Sequence, residues 1–247
     1  MMVVIVQARM CSTRLPGKVL LPVLGRPMLS LQLERLRQVS LCDRLVVAST
    51  TNKADDAIDK FCQNEGVDCI RGSESDVLSR FVKAAKFFGA TSIVRLTGDC
   101  PLIEPTLVDN AIKEFLEAKG AVDYVSNMIE PSWPYGMAVE VMSVDALLQA
   151  HAHALSGDER EHVTPYLYRN PHRFRLKSLV MKPNLKKHRW TVDTPEDFEL
   201  VRRIFTEIYP KNQNFRMSDV LAVLEANPEW IMINSHIIQK QVANQRS

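Results

Sequence analysis

Short runs of β-branched and other apolar residues alternate with amphipathic segments over the first two-thirds of the chain. Residues 3–6 form such a run without polar alternation, which is typical of a strand buried on both faces of a parallel sheet. Residues 45–48, 68–70 and 92–96 predict three further strands. Strands that alternate with helices favour βαβ units. The sequence therefore predicts an α/β fold with a parallel sheet and helices on both faces.

Helical periodicity fills the intervals between these strands. One helix is predicted to begin near Pro27, because Leu29, Leu33 and Leu36 fall on one face. Glycines follow the next three predicted helices, over residues 54–65, 76–88 and 105–119, as is typical of helix ends. A further helix is predicted over residues 195–209.

The regular alternation breaks between residues 124 and 174. Pro131, Pro134 and Gly136 interrupt this segment, although residues 138–142 have the pattern of a strand. We predict that residues 124–174 form a small irregular insertion, which completes the site and is a candidate dimer interface.

The sequence after residue 174 predicts one more strand and a C-terminal tail. Residues 189–192 favour a strand, and residues 218–239 favour a helix within a C-terminal helical tail over residues 210–247. We therefore interpret residues 1–247 as one domain, which is within the size range of a single α/β unit.

The charge balance argues against a general nucleic-acid or membrane partner. The 31 basic and 29 acidic residues leave a net charge of +2, so any anion has to be bound locally. The apolar runs are far too short to span a bilayer. The N-terminus has neither a basic region nor a small-residue cleavage site. We therefore expect a cytoplasmic protein without nucleic-acid or membrane partners.

The cysteine pattern agrees with that expectation. The chain has five cysteines and no CxxC pair. This pattern predicts reduced thiols in the cytoplasm rather than a disulfide framework or a zinc site.

The loop after the first predicted strand concentrates positive charge. It carries Arg9, Arg14 and Lys18 among hydroxyl-bearing and glycine residues, at the strand end where ligands bind in open α/β sheets. Such cations suit a triphosphate, because guanidinium groups grip phosphate oxygens in pairs and lysine supplies a compact charge. A solvated surface loop is the alternative. The loop matches neither a Walker motif nor a GxGxxG turn, which argues against an ATPase or a dehydrogenase.

Two aspartates follow predicted strands and are candidate ligands of a hard cation. Asp99 comes directly after residues 92–96 in a Gly-Asp-Cys-Pro turn, and Asp193 comes after residues 189–192. Magnesium prefers one or two carboxylates together with phosphate oxygens and water. The alternatives are a simple turn at Asp99 and a helix cap at Asp193 or Thr194.

Six segments together resemble a known enzyme family. They are VVIVQARMCSTRLPGKVL, GSESDVLSRF, SIVRLTGDCPLI, VEVMS, EREHVTPYLY and HRWTVDTPEDFELV. They resemble the cytidylyltransferases that include the CMP-KDO and acylneuraminate synthetases, and they are most similar to the branch named for spore coat polysaccharide biosynthesis protein F. The resemblance covers roughly residues 3–209. It implies a Rossmann-like, mostly parallel sheet of the nucleotide-diphospho-sugar transferase type.

The resemblance also implies a nucleotide pocket and a metal site. The residues implied in the CTP pocket are Ala8, Arg9, Ser12, Arg14 and Lys18. Asp76 and Arg80 are implied near the nucleoside, although a helix N-terminus with an exposed arginine would show the same pattern. Asp99 and Asp193 are implied as ligands of Mg²⁺. Cys11 stands where the branch usually has glycine, and a positive φ at this position would strain a cysteine.

The sugar-binding side departs further from the branch. Tyr135 and Ala138 stand where the branch usually carries aspartates, whereas Glu140 is retained. Arg160 and His162 form the basic pair of the segment and are candidate contacts of a sugar acid, with a structural hydrogen bond as the alternative. We predict a carboxylated sugar of eight or nine carbons as the second substrate, because fewer acidic groups in the pocket repel an anion less.

The sequence therefore predicts an Mg²⁺-dependent, homodimeric cytidylyltransferase for surface polysaccharide or glycan synthesis. CTP and a small sugar are its predicted substrates. Arg9, Arg14 and Lys18 would stabilise the departing pyrophosphate, and Asp99 would act through the metal. Two alternatives stay open. A glycosyltransferase of the GT-A type would carry a DxD triplet, which this sequence lacks, and a non-catalytic nucleotide-binding regulator would bind without turnover.

Overall fold

The computed structural model describes residues 1–238, and a seven-stranded sheet runs through their centre. A separate two-stranded hairpin precedes the first helix. The strands are β1 (Met2–Gln7), β2 (Pro22–Val23), β3 (Arg26–Pro27), β4 (Arg44–Thr50), β5 (Asp68–Gly72), β6 (Ser92–Thr97), β7 (Tyr124–Ser126), β8 (Glu140–Ser143) and β9 (Leu176–Ser178). The order in the large sheet is β5-β4-β1-β6-β8-β7-β9. β8 pairs antiparallel with both of its neighbours, and the other pairings are parallel.

Helices cover the sheet, and most of them agree with the predicted periodicity. Their bounds are α1 (Met28–Leu36), α2 (Asp56–Glu65), α3 (Val77–Phe87), α4 (Pro105–Glu117), α5 (Val144–His153), α6 (Gly157–His162), α7 (Pro165–Arg169), α8 (Pro195–Ile208), α9 (Met217–Ala226) and α10 (Pro228–Ile231). Gly66 ends α2 with a φ of 64°, a conformation that glycine adopts at little cost.

Alternating side chains of the strands build a core on each face of the sheet. Val4 and Val6 of β1 pack on one face with α1, α2, α4, α8 and α9. Val3 and Ile5 of the same strand pack on the other face with α3, α5 and α7. The uninterrupted apolar run in β1 is therefore the consequence of burial on both faces. This arrangement confirms the predicted α/β class, with a mostly parallel sheet and helices on both faces.

Residues 124–174 are more regular than their sequence suggests. They contribute β7 and β8 to the large sheet, and β8 lies between β6 and β7. Helices α5, α6 and α7 follow β8. Whether this segment also completes a sugar site or forms a dimer interface stays a prediction.

Two predicted elements differ in the structure. Residues 189–192 are not a regular strand, because Arg189 makes only an isolated bridge with Tyr135. The ladder does not extend, because the next N–H in register, that of Met137, donates instead to the carbonyl of Pro134 at 3.1 Å, in a turn that contains Gly136 with a φ of 101°. The helix predicted over residues 218–239 is divided into α9 and the short α10, and residue 239 lies outside the described residues.

None of the helices within residues 1–238 is both long enough and apolar enough to cross a membrane.

Candidate active site

Two strands of the sheet end side by side at the edge where the charged loops begin. β1 and β6 are parallel neighbours, with Gln7 opposite Thr97 at their carboxyl ends. The N–H of Gly98 donates to the carbonyl of Gln7 at 2.8 Å. A Cβ at position 98 would lie 3.1 Å from both that carbonyl oxygen and the Cβ of Ala8, so glycine permits the close approach. Both loops therefore start in the crevice where open α/β sheets bind ligands.

The loop after β1 folds back on itself and brings Lys18 to this edge. The N–H of Gly17, a residue with a φ of 69°, donates to the carbonyl of Met10 at 2.9 Å. The N–H of Met10 donates in turn to the carboxylate of Asp55 at 2.6 Å. A 3₁₀ turn over Lys18–Leu20 follows. The side chain of Lys18 is only 11% exposed, so this loop holds its lysine in a defined position.

Backbone contacts bring Asp193 to the same edge. The N–H of Val192 donates to the carbonyl of Asp99 at 2.8 Å. Thr194 caps α8, because its hydroxyl accepts the N–H of Asp197. The cap interpretation therefore applies to Thr194, and the carboxylate of Asp193 faces the loop that carries Lys18.

Lys18 lies between the two predicted metal ligands. Its Nζ donates to Oδ2 of Asp99 at 2.7 Å and to Oδ1 of Asp193 at 2.8 Å. Arg14 and Arg189 contact the other carboxylate oxygen of Asp193, at 2.9 and 3.0 Å. We call these five residues the Lys18 cluster. The structure thus brings together both predicted metal ligands and two of the three predicted phosphate-binding cations.

Charge outweighs burial in setting the protonation of this cluster. Burial lowers the pKa of Lys18, but the charges of Asp99 and Asp193 outweigh it, and the pKa is raised. Burial raises the pKa of Asp193, but Lys18 and Arg14 outweigh it, and the pKa is lowered. Both groups are therefore charged at neutral pH, and the contacts between them are ion pairs.

The carboxylates of Asp99 and Asp193 fit a hard divalent cation. One oxygen of each lies within 2.8 Å of the same Lys18 nitrogen, so the two carboxylates converge on one point. Within residues 1–238, no three His, Cys, Asp or Glu side chains are grouped to hold a metal. A cation at this point would displace the lysine ammonium and would need phosphate oxygens and water as its other ligands, which is the coordination Mg²⁺ prefers.

Arg9 lies on a second side of the crevice, apart from the Lys18 cluster. Its guanidinium forms long ion pairs with Glu74 at 3.6 Å and with Glu161 of α6 at 3.8 Å. Asp76 caps α3 and also accepts Nη2 of Arg160 at 2.6 Å. The predicted residues Arg9, Asp76 and Arg160 therefore connect the loop after β1, the start of α3 and α6.

Arg80 is buried beside Arg9 rather than exposed. Only 2% of Arg80 is accessible, and its Nε and Nη1 have no hydrogen-bond partner among residues 1–238. Burial, and then the charge of Arg9, lower the pKa of Arg80 to about 10. Gly72 makes room for this side chain, since a Cβ there would lie 2.8 Å from Cγ of Arg80. The alternative interpretation is therefore right about the helix start, which Asp76 caps, and wrong about an exposed arginine.

Glu140 belongs to a different and closed set of contacts. One carboxylate oxygen accepts the hydroxyls of Tyr124 and of Thr164, the latter at 2.6 Å, and the other oxygen accepts Nη1 of Arg95. Glu140 is 4% exposed. We call these four residues the Glu140 cluster. Substrate binding by Glu140 stays a prediction, which its burial and internal partners disfavour.

The other predicted residues make weaker contacts. His162 lies 3.6 Å from a carboxylate oxygen of Asp158, and the hydroxyl of Ser12 accepts the N–H of Leu15 at 3.4 Å. Cys11 is exposed and does not have a positive φ. The substitution at position 11 therefore brings no backbone strain of the kind considered from the sequence.

Sequence reasoning missed two residues that stand behind Asp193. Asp197 is fully buried and accepts the N–H of Asp193 at 3.0 Å. Arg189 donates from Nε to Asp197 at 2.9 Å and from Nη2 to Asp193 at 3.0 Å. A basic residue four positions before Asp193 and an acidic residue four positions after it were the available signal.

Sequence comparisons connect this geometry to known proteins. A family model described as cytidylyltransferase matches residues 3–227. Spore coat polysaccharide biosynthesis protein SpsF of Bacillus subtilis is 33% identical over 232 residues, which cover 91% of this chain and 94% of the relative. These matches confirm the resemblance predicted from the motifs.

Solved structures agree with the sequence comparisons. A cytidylyltransferase from Leptospira borgpetersenii superposes with a TM-score of 0.90 at 31% identity, over 97% of this chain and 99% of its own. A CMP:2-keto-3-deoxy-manno-octonic acid synthetase complexed with CTP superposes with a TM-score of 0.64 at 21% identity, over 83% of this chain and 98% of its own. At that identity the second likeness shows the fold alone.

Proposed function

The chain belongs to the cytidylyltransferase family, and we propose that it transfers CMP from CTP to a sugar acid with release of pyrophosphate. The observation that carries this proposal is the position of Lys18 between Asp99 and Asp193. Two converging carboxylates and adjoining cations supply partners for a metal and for a polyphosphate at one strand edge. The product would serve surface polysaccharide or glycan synthesis.

Arg14 and Lys18 are the proposed ligands of the outer phosphates. Both contact carboxylate oxygens of Asp193, and phosphate oxygens can replace these partners because they carry the same sign of charge and accept the same hydrogen bonds. Arg9 is the proposed third cation. Its ion pairs are long and 42% of its side chain is exposed, so reorienting it towards a phosphate costs little.

Asp99 and Asp193 are the proposed ligands of Mg²⁺. When bound, the ion would polarise the α-phosphate and lower the pKa of the attacking hydroxyl. Asp193 is held from behind by Arg189, so its carboxylate would keep its orientation when Lys18 moves to a phosphate.

The reaction requires little covalent chemistry from the protein. A sugar hydroxyl oxygen bonds to the α-phosphorus, the bond from that phosphorus to the bridging oxygen of the β-phosphate breaks, and the hydroxyl proton passes to solvent water. Negative charge increases on the leaving pyrophosphate, where Arg14 and Lys18 would stabilise it. Positioning and charge neutralisation therefore account for the proposed catalysis.

Arg80 is the proposed contact of the nucleoside, with Asp76 nearby. Its Nε and Nη1 are buried donors without partners among the described residues, and an unsatisfied buried donor is costly. A carbonyl or hydroxyl oxygen of cytidine would satisfy these donors. This supports a nucleotide orientation with the phosphates at Lys18 and the base towards α3.

A sugar acid is the proposed second substrate. Arg160 forms an ion pair with Asp76 at the start of α3, which supports a cation close to the proposed nucleoside contact. His162 follows Arg160 in α6. Tyr135 and Ala138 add no acidic charge. An eight- or nine-carbon sugar carboxylate would therefore meet less repulsion than in a pocket with aspartates at these positions.

The proposed function is tested by measuring pyrophosphate release from CTP and Mg²⁺ across a panel of acceptors. The panel contains KDO-like, sialic, pseudaminic and legionaminic acids and common sugar phosphates. We expect release only with sugar acids, and much less when ATP, GTP or UTP replaces CTP.

Each other outcome of this panel has a distinct meaning. Turnover confined to sugar phosphates would contradict the sugar acid and leave nucleotidyl transfer in place. Transfer of a sugar from a nucleotide sugar would indicate a glycosyltransferase instead. Nucleotide binding without any turnover would indicate the regulator.

A further inference from the structure

A residue near the C-terminus contacts the two residues that hold Asp193 in place. It lies outside the region that the family model matches. The family model ends at residue 227, whereas Asn234 lies beyond α10 and is 3% exposed. Its Nδ2 donates to the carbonyl of Arg189 at 2.9 Å and to Oδ1 of Asp197 at 2.8 Å. Both hydrogens of one amide group are therefore used on the two residues behind Asp193.

Asp197 is the centre of this support. Its Oδ1 accepts Nε of Arg189 and the amide of Asn234, both within 2.9 Å. Its Oδ2 accepts Nη2 of Arg189 and the N–H groups of Asp193 and Thr194, at 2.9 to 3.2 Å. Five hydrogen-bond donors surround this carboxylate, and together they fix its orientation. It therefore holds the backbone of Asp193 and the guanidinium of Arg189 in a fixed relation.

Arg189 transmits this order to the carboxylate of Asp193. Its guanidinium contacts Asp197 through Nε and Nη2, and Nη2 also reaches Oδ2 of Asp193 at 3.0 Å. Since a guanidinium is planar and rigid, fixing one edge of the group fixes the other. The amide of Asn234 donates hydrogen bonds to this network without adding a positive charge. Three cationic side chains already contact Asp193.

We infer that Asn234 is a positioning residue, which acts through Asp197 and Arg189 to hold Asp193 as a metal ligand. The inference rests on the proposed metal site and assigns the C-terminal segment a role in it. Partners that orient the ligands of a metal typically change its affinity about 10- to 100-fold when they are removed. The isosteric change Asn234→Asp should be the most severe, because it places a carboxylate against Asp197 and against a carbonyl.

The test measures binding of Mn²⁺ in the presence of saturating CTP and without sugar, from the water-proton relaxation enhancement that the protein adds to a matched titration of CTP alone, because CTP itself binds the ion. We expect Asn234→Ala to weaken Mn²⁺ binding about tenfold and Asn234→Asp to weaken it further. Ser235→Ala is the matched control. Among residues 1–238 its hydroxyl donates only to the carbonyl of Met232, so Mn²⁺ affinity should stay at the wild-type value.

A purely structural role gives a different result. It would lower the thermal midpoint of the Asn234 variants and leave the Mn²⁺ affinity of the folded protein unchanged. Equal affinities in wild type and both Asn234 variants, including no measurable binding by any of them, would overturn the inference. Weakened binding in the variants would support it even if no acceptor in the sugar panel released pyrophosphate, so failure of the proposed function is distinguishable.

Discussion

The Lys18 cluster and the Glu140 cluster are both built from carboxylates and cations, the first on loops at the carboxyl edge of the sheet and the second largely on strands β6, β7 and β8, and they differ in what their partners permit. In the Lys18 cluster the side chains of Asp99 and Asp193 are 25% and 16% exposed. They share Lys18 as a partner, and Asp193 also contacts Arg14 and Arg189. In the Glu140 cluster both carboxylate oxygens accept internal donors, and only 5% of the side chain is exposed. We therefore expect the first set to exchange partners with a ligand more readily than the second.

The difference is useful for separating chemistry from stability. Buried ion pairs are costly to break, because removing one partner leaves an uncompensated charge. Partly exposed pairs contribute less to stability and remain available to solvent and ligands. We therefore expect changes in the Glu140 cluster to act on folding and changes in the Lys18 cluster to act on turnover. The following predictions test that separation.

The largest effect is expected for Glu140→Gln. The substitution leaves Arg95 beside a neutral amide, and breaking a buried pair in this way costs about 3–5 kcal/mol in the free energy of unfolding. Urea unfolding followed by circular dichroism measures the loss. The KM for the sugar should stay within about twofold of wild type, a change worth well under 1 kcal/mol. A selective rise in that KM with unchanged stability would show that Glu140 contacts substrate after all.

Asp99→Asn should have the opposite profile. Turnover is expected to fall at least about a hundredfold, because the carboxylate's contribution through the metal is worth several kcal/mol. The free energy of unfolding should fall by less than in Glu140→Gln, because Lys18 keeps Asp193 as an ionised partner. The assay is steady-state pyrophosphate release under saturating Mg²⁺.

A matched control for this substitution is Asp145→Asn. Asp145 is exposed in the first turn of α5. The Asp145→Asn variant should therefore have the turnover of wild type. A folded Asp99→Asn variant with near-normal turnover would remove Asp99 from the metal site.

Lys18→Met and Arg14→Ala sharpen the comparison at the level of binding. Their proposed partners are the outer phosphates, so affinity for CTP should fall by about tenfold or more, as for a hydrogen bond to a charged group. Affinity for CMP should change little. Calorimetric titration with both nucleotides measures the two effects, and Lys113→Ala, on the exposed face of α4, serves as the control. Equal losses for CTP and CMP would mean that neither residue contacts the outer phosphates.

The smallest effect concerns pH. The pKa of Asp193 in the folded protein is below its ordinary value of 3.8, because Lys18 and Arg14 outweigh the effect of burial. A lowered folded-state pKa stabilises the fold above the unfolded value, and this contribution is lost as pH falls through the folded value. Wild type should therefore lose stability below about pH 4 more steeply than Asp193→Asn. Parallel acid profiles in urea unfolding would contradict the ion pairing of Asp193.

Lys18 should show the opposite pH dependence. Its pKa is raised above 10.5 by Asp99 and Asp193, which outweigh burial. The stability from this pair is complete below the unfolded value and is lost as pH rises through the folded value. Lys18→Met should therefore remove part of the alkaline decline in stability above about pH 10.5. An unchanged decline in this variant would show that Lys18 does not contribute to it.

The sequence was sufficient to predict the convergence of Lys18 and Asp99. Parallel strands share one carboxyl edge, so residues that follow β1 and β6 meet there regardless of the chain between them. Asp193 reaches the same edge without a regular strand before it, because the N–H of Val192 donates to the carbonyl of Asp99. The buried run of β1 was also recognisable, because burial on both faces leaves no polar alternation.

The support behind Asp193 was not predictable in this way. Asn234 lies 37 residues after Asp197, and only the packing of α8, α9 and α10 brings the two together. The motif predicted that Glu140 contacts the substrate. Side chains alternate between the two faces of β8, however, and Glu140 lies on the face that carries Tyr124. Sequence spacing identifies residues at a shared edge, whereas the partners of a buried polar group depend on tertiary packing.

Phosphorus-31 resonance of the reaction products tests the central claim most directly. Wild type, Asp99→Asn and Glu140→Gln would each be incubated with CTP, Mg²⁺ and the acceptor that releases the most pyrophosphate. We predict a new CMP–sugar phosphodiester signal in equal amount to pyrophosphate, retained per folded molecule in Glu140→Gln and lost in Asp99→Asn. Release of CDP and inorganic phosphate, or an undiminished phosphodiester signal in Asp99→Asn, would contradict nucleotidyl transfer at the Lys18 cluster.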